Sequence, residues 1–177
     1  GNTFKEIRNW NEAIKAYNKA ISLKPDYAEA FYNRGLVQSN MGDLDSAIES
    51  YNKAISTYPN FGAAFNNRGN ALLDKGEIEK AIENYEQAVR LSPNDADAWN
   101  NLGVVLGIIG NHRDAIASFN QALKVKPDYI DALFNLGKSL KSIGELKKAE
   151  KYFETVIILD KDDAMGAVLQ LANIGIK

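Results

Sequence analysis

The 177-residue sequence predicts an all-α chain built from a two-helix unit that recurs every 34 residues. Three observations predict it. The four prolines, Pro25, Pro59, Pro93 and Pro127, are each 34 residues apart. Eight of the thirteen glycines fall into two series with that same period: Gly35, Gly69, Gly103 and Gly137, and Gly42, Gly76, Gly110 and Gly144. Apolar residues recur at intervals of three and four, and no segment alternates with the period of a strand.

Numbering the unit from Ala28 gives four complete units at 28–61, 62–95, 96–129 and 130–163. A partial unit at 1–27 precedes them, and a short segment at 164–177 follows. Alanine holds positions 3 (Ala30, Ala64, Ala98, Ala132) and 20 (Ala47, Ala81, Ala115, Ala149), and an aromatic residue holds position 24 (Tyr51, Tyr85, Phe119, Phe153). First helices are expected over 28–41, 62–75, 96–109 and 130–143, and second helices over 45–57, 79–91, 113–125 and 147–159. Between them Gly42-Asp43, Gly76-Glu77, Gly110-Asn111 and Gly144-Glu145 stop one helix and restart the next, and the prolines end the second helix. The position-8 glycines lie inside helices, at a cost of about 1 kcal/mol each that close packing must offset.

At the ends, Phe4, Ile7 and Trp10 are assigned to an incomplete first helix. Met165, Val168, Leu169, Leu171, Ala172 and Ile176 read as one capping helix, started by Asp162 and Asp163, with Leu171 at position 8 too bulky to admit another close partner. Terminal units that have lost part of their partner surface make association of copies through the array ends an expectation.

Composition excludes several kinds of chemistry. With 21 Lys plus Arg against 23 Asp plus Glu, the net charge of -2 argues against a nucleic-acid or anionic-membrane surface. There is no cysteine and one histidine, His112, so neither a metal nor a cofactor is expected, and no catalytic residue is assigned. The longest apolar stretch, Val104 to Ile109, is interrupted by Gly107 and too short for membrane insertion; with no Asn-x-Ser/Thr sequon, the cytoplasm is the expected location. Ala132 to Ser139 resembles a relaxed phosphate loop, but it falls within a helix whose N–H groups are already used. Gly103 and Gly107 are explained by close helix contact. His112, where other units carry Leu44, Ile78 and Leu146, is expected to be a half-buried packing residue. Asp97 and Asp131 share a position in adjacent units, roughly 10 Å apart, too far for a retaining carboxylate pair.

At 100° per residue, positions 3, 4, 7, 8, 10, 11 and 14 of the first helix form one apolar side, the expected core. Positions 2, 5, 6, 9, 12 and 13 lie opposite. Position 6 is asparagine in every complete unit: Asn33, Asn67, Asn101 and Asn135. A ladder of amides, each with two donors and an acceptor, suits the backbone of an extended peptide; the same amides equally suit bonds to the next unit. Asn66, Asn70 and Asn100 widen the polar strip. Tyr32, Leu36, Leu73, Val104, Ile108 and Phe134 add apolar contact surface at positions expected to face solvent. Glu29, Asp74, Asp97 and Asp131 are negative, whereas Lys138 and Lys141 are positive toward the C-terminal end. A bound peptide with its acidic part near those lysines fits this gradient.

The run Trp99-Asn100-Asn101-Leu102-Gly103, followed by Ala115, Phe119, Ala122 and Pro127, resembles the tetratricopeptide repeat. Departures are Arg34 and Arg68 in place of Leu, Lys161 in place of a fifth Pro, and a first unit that begins only at Gly1. The resemblance implies antiparallel helix pairs stacked into a right-handed superhelical solenoid, with positions 2, 5, 6, 9, 12 and 13 lining a concave groove for a peptide or protein partner. The asparagine ladder is similar to that in the repeat region of O-linked N-acetylglucosamine transferases, although Asn at position 9 occurs only as Asn70. A Lys-Asn clamp for a C-terminal carboxylate needs Lys at position 5, which here holds Tyr32, Asn66, Asn100 and Phe134. The expected function is a non-enzymatic protein-interaction scaffold. The alternatives are a substrate-recruiting region of a larger enzyme such as a glycosyltransferase, and a self-assembling structural array.

Overall fold

A computed structural model describes residues 2–160 and 164–175, with side chains from residue 9 onward. The assignments of Phe4, Ile7, Lys161, Asp162, Asp163 and Ile176 lie outside the described residues or side chains. The described secondary structure is helical throughout: α1 (Asn2–Leu23), α2 (Ala28–Asn40), α3 (Leu44–Thr57), α4 (Gly62–Asp74), α5 (Ile78–Leu91), α6 (Ala96–Ile108), α7 (His112–Val125), α8 (Ile130–Ser142), α9 (Leu146–Leu159) and α10 (Met165–Gly175). The chain forms two compact units, residues 1–92 and 93–177. In the first, α1 packs on α2, α2 pairs with α3, α3 packs on α4, and α4 pairs with α5. In the second, α6 pairs with α7, α7 packs on α8, α8 pairs with α9, and α9 packs on α10. No helix among the described residues is long and apolar enough to cross a membrane.

Each first helix ends one residue before the expected boundary, because its closing turn is a left-handed glycine cap. Gly42, Gly76, Gly110 and Gly144 have φ between 78° and 83°, a region that L side chains rarely adopt. The residue after each glycine donates its N–H back into the last turn, as from Asp43 to the Gln38 carbonyl at 3.0 Å and from Asn111 to the Leu106 carbonyl at 2.9 Å. The partial unit lacks this device. Its corresponding residue is Arg8, and α1 runs unbroken from Asn2 to Leu23, so the incomplete first helix expected around Phe4, Ile7 and Trp10 is not a separate element. Position 14 also departs from expectation: Met41, Lys75, Ile109 and Ile143 are exposed rather than core, because each caps the helix end, where the angular pattern no longer holds.

The core joins the two repeat signatures. A Cβ placed on Gly35, Gly69, Gly103 or Gly137 would lie 2.6, 2.7, 2.5 or 2.6 Å from the ring of Tyr51, Tyr85, Phe119 or Phe153, respectively. The helical glycine therefore makes room for the aromatic ring of its partner helix, and that packing offsets its poor propensity. Ala47, Ala81, Ala115 and Ala149 are wholly buried beside these rings.

Arg34 and Arg68, which depart from the leucine of the family pattern, sit in a polar bracket. Arg68 donates from Nε to Asn84 Oδ1 at 2.7 Å in its own helix pair and from Nη1 to Asn52 Oδ1 at 2.6 Å in the preceding one. Arg34 does the same toward Ser50 and Asn18, at 2.9 and 2.8 Å. Their guanidinium groups also lie over Phe31 and Phe65. At the C-terminal end, Ala164, Ala167, Leu171 and Ile174 form the packed stripe of the cap. Met165, Val168, Leu169 and Ala172 are exposed, because the three-and-four spacing that carries Leu171 inward turns them outward.

Candidate functional site

In the first unit the opposite face of the first helices begins at Tyr32. Its ring stacks obliquely on Phe61, centroids 4.8 Å apart, and lies 6.1 Å from Tyr51. Asn67 donates from Nδ2 to the Tyr32 hydroxyl and to its own helix at the Ala63 carbonyl, both at 3.0 Å. That rung of the asparagine ladder therefore ties α4 to α2, with its amide donors spent inside the protein. Asn33 is half-buried on the same face. Asn70 is half-buried too, and its Oδ1 accepts from the core Tyr85 hydroxyl at 2.7 Å. Asn66 is buried rather than part of an exposed strip, because α4 is packed by both α3 and α5.

In the second unit, residues from α6, α7 and α8 converge on one cleft of about 270 Å³. Val104, Gly107 and Ile108 line it from α6; Asn135, Lys138 and Ser139 line it from α8. The buried ring of Phe119 and His112, both on α7, complete it. Four residues chosen from sequence, Val104, Ile108, Asn135 and Lys138, are thus brought together. Asn101 is half-buried on the same helix, whereas Asn100 is buried, with an Oδ1 that has no hydrogen-bond partner. Tyr129 sits beside Asp97; burial first, then the hydrogen bond to Asp97 and the negative field of Asp97, Asp131 and Asp95, push its phenol well above the usual range.

The end helix takes up two further residues. Phe134 lies 5.8 Å from Phe153, and a Cβ on Gly166 of α10 would touch its ring at 3.4 Å. Lys141 donates to Gln170 Oε1 of α10 at 2.9 Å. Both therefore bind the cap as well as facing outward. Lys138 remains exposed, its ammonium 5.6 Å from the Phe134 centroid.

The expectation that close helix contact explains Gly107 is corrected. A Cβ there would meet nothing nearer than Ser139 Oγ at 3.9 Å, ordinary contact. Sequence reasoning assigns neither this glycine nor His112 to a site, yet both help form the cleft. The signal was available: at positions 12 and 17 they interrupt the series Ser39, Leu73, Lys141 and Leu44, Ile78, Leu146. His112 is half-buried as expected, but its Nδ1 is sealed from solvent without a hydrogen-bond partner. A second cleft, of about 420 Å³ in the first unit, is charged and internally neutralised: Lys75 pairs with Asp45 and Glu77, and Lys80 with Glu77.

The geometry agrees with comparison to known proteins. Models described as tetratricopeptide repeat match residues 28–61, 96–129, 50–83 and 130–163, and a model described as TPR repeat matches 1–42 and 69–107. No curated protein matches the sequence. Among solved structures, the chain is similar to MamA, with 27% identity, 93% of this chain and 96% of that one covered, and a TM-score of 0.81. It also shares the fold of YrrB, described as a TPR protein with an unusual peptide-binding site, at 24% identity, 96% and 87% coverage and a TM-score of 0.77. A MamA fragment from Desulfovibrio magneticus RS-1 aligns at 23% identity, 87% coverage of both chains and a TM-score of 0.77. Repeated helix pairs closed by left-handed glycines, a ring seated over each position-8 glycine, and matches that together run from residue 1 to 163 establish that the chain belongs to the tetratricopeptide-repeat family.

Proposed function

We propose that this chain is a protein-interaction module that holds a segment of a partner protein against the exposed face of its first helices. The observation that carries the reading is the cleft of the second unit, where Val104, Ile108, Asn135 and Lys138 converge around an open, mostly apolar hollow. An exposed apolar surface edged by amides and a cation suits a peptide: the apolar part supplies the driving force, and amides pair with main-chain groups whatever the side chains. Asn101 and Asn135 are the rungs assigned to such pairing in the second unit, as is Asn33 in the first. Tyr32, held by Phe61 and Asn67, offers a preorganised ring there. Asn67, Asn70, Asn66 and Asn100 act on the partner through the face they support. Phe134 and Lys141 contribute at the edge that α10 leaves open. The peptide-binding site named for YrrB is consistent with this use of the fold.

The test is selection of peptides from a random displayed library on the immobilised chain, followed by calorimetric titration against wild type and Ile108→Asp. Ile108 is 58% exposed, so the substitution leaves the core intact. Affinity is expected to fall by about tenfold or more with an unchanged melting curve. Equal affinity of both proteins would reject this face as the binding surface.

A further inference from the structure

The cleft between α6, α7 and α8 coincides with two breaks in the repeat. Position 12 carries Ser39, Leu73 and Lys141 elsewhere but Gly107 here. Unlike Gly103, which has the Phe119 ring against it, Gly107 has no neighbour that requires a glycine. A glycine in the last turn of α6 that has no side chain and no ring against it leaves a hollow in the face. Position 17 carries Leu44, Ile78 and Leu146 elsewhere but His112 here, so a polar ring replaces an aliphatic wall at that same hollow. With Nδ1 sealed off, Nε2 is the nitrogen that His112 can offer a ligand.

Size and charge define the occupant. A volume of about 270 Å³ is below the roughly 300–1,000 Å³ of small-molecule sites and equals about nine waters at ~30 Å³ each. It suits one side chain. Val104, Ile108 and Phe119 give it apolar walls, whereas Lys138, His112 and Asn135 place donors around them, and no carboxylate lines it. Lys138 makes no ion pair among the described residues. We propose that this cleft is a specificity pocket that takes one leucine- to phenylalanine-sized side chain of a bound protein segment, with a neighbouring Asp or Glu of that segment paired to Lys138. The proposal rests on the interaction-module reading and names what the module selects.

Peptides enriched from the displayed library are the probe, and the full chain is the target. They are expected to share an apolar residue beside an acidic one. Gly107→Leu, which installs the residue found at Leu73, fills the hollow and is expected to weaken them about tenfold or more without loss of thermal stability. Gly107→Ala, which adds one methyl group in ordinary contact with Ser139, fills less of the hollow and is expected to weaken them less than Gly107→Leu does. Repeating the selection on Lys138→Glu is expected to replace the acidic neighbour with Lys or Arg. Peptides that lose affinity in Ile108→Asp yet ignore both Gly107→Leu and Lys138→Glu would overturn the pocket and leave the module reading standing. Failure to enrich any peptide would overturn both. An equal loss in Gly107→Ala and Gly107→Leu would trace binding to the glycine backbone rather than to volume, and would also overturn the pocket.

Discussion

Gly69 lies so close beneath the ring of Tyr85 that a methyl group on it would sit 2.7 Å from Cε1. Gly69→Ala is therefore expected to lower stability by about 1–3 kcal/mol through overpacking, despite a propensity gain of about 1 kcal/mol. Gly107→Ala, in the last turn of α6, brings no clash and a smaller propensity gain, and is expected to be neutral or stabilising by less than about 1 kcal/mol. Denaturant titration of the two variants side by side decides the matter. The reverse order would contradict the assignment of one glycine to packing and the other to an open cleft.

The bracket of Arg68 with Asn84 and Asn52 makes a second prediction. Arg68→Leu leaves the buried Asn84 Oδ1 without its donor and is expected to cost about 1–3 kcal/mol. Adding Asn84→Ser should recover part of the loss, because the pair then matches Leu102 and Ser118, whose hydroxyl donates to the Asp114 carbonyl at 3.0 Å. A double variant no more stable than Arg68→Leu alone would show that the two side chains are not coupled.

Tyrosine ionisation sets the alkaline limit. Burial, with the negative charge of Asp74 adding, raises the Tyr85 phenol above its ordinary value, and burial raises Tyr51 in the same sense. A phenol that keeps its proton more firmly when folded contributes stability below about pH 10, the unfolded value, and loses it as pH rises further. Melting temperature is thus expected to fall above about pH 10. Tyr85→Phe, with a ring already accepted at Phe119 and Phe153, should flatten the fall after a small loss at neutral pH from the missing bond to Asn70. An identical alkaline slope in the variant would remove Tyr85 from the account.

The period makes the helices, their glycine stops and their buried alanines legible in the sequence. It presented Gly69 and Tyr85 as members of two separate series; only packing shows that each series exists to fit the other. Angular reasoning treats one helix at a time, so it turned Asn66 and Asn100 toward solvent although α4 and α6 are each packed by more than one neighbour. It likewise could not show that α10 engages Phe134 and Lys141, contacts made by residues far along the chain. The cleft was visible as an interruption, at Gly107 and His112, in series that were otherwise regular. Agreement with the repeat located the core, and departure from it marked the candidate site.

The proposed function places a partner segment on the exposed face of α6 and α8, at the second-unit cleft. Amide chemical-shift mapping of the isotope-labelled chain, titrated with a selected peptide, tests it most directly. Saturable shifts centred on Val104, Gly107, Ile108, Asn135 and Lys138 are the expected result. Shifts confined to the second helices α7 and α9, or to the outward residues Met165, Val168 and Leu169 of α10, would contradict it.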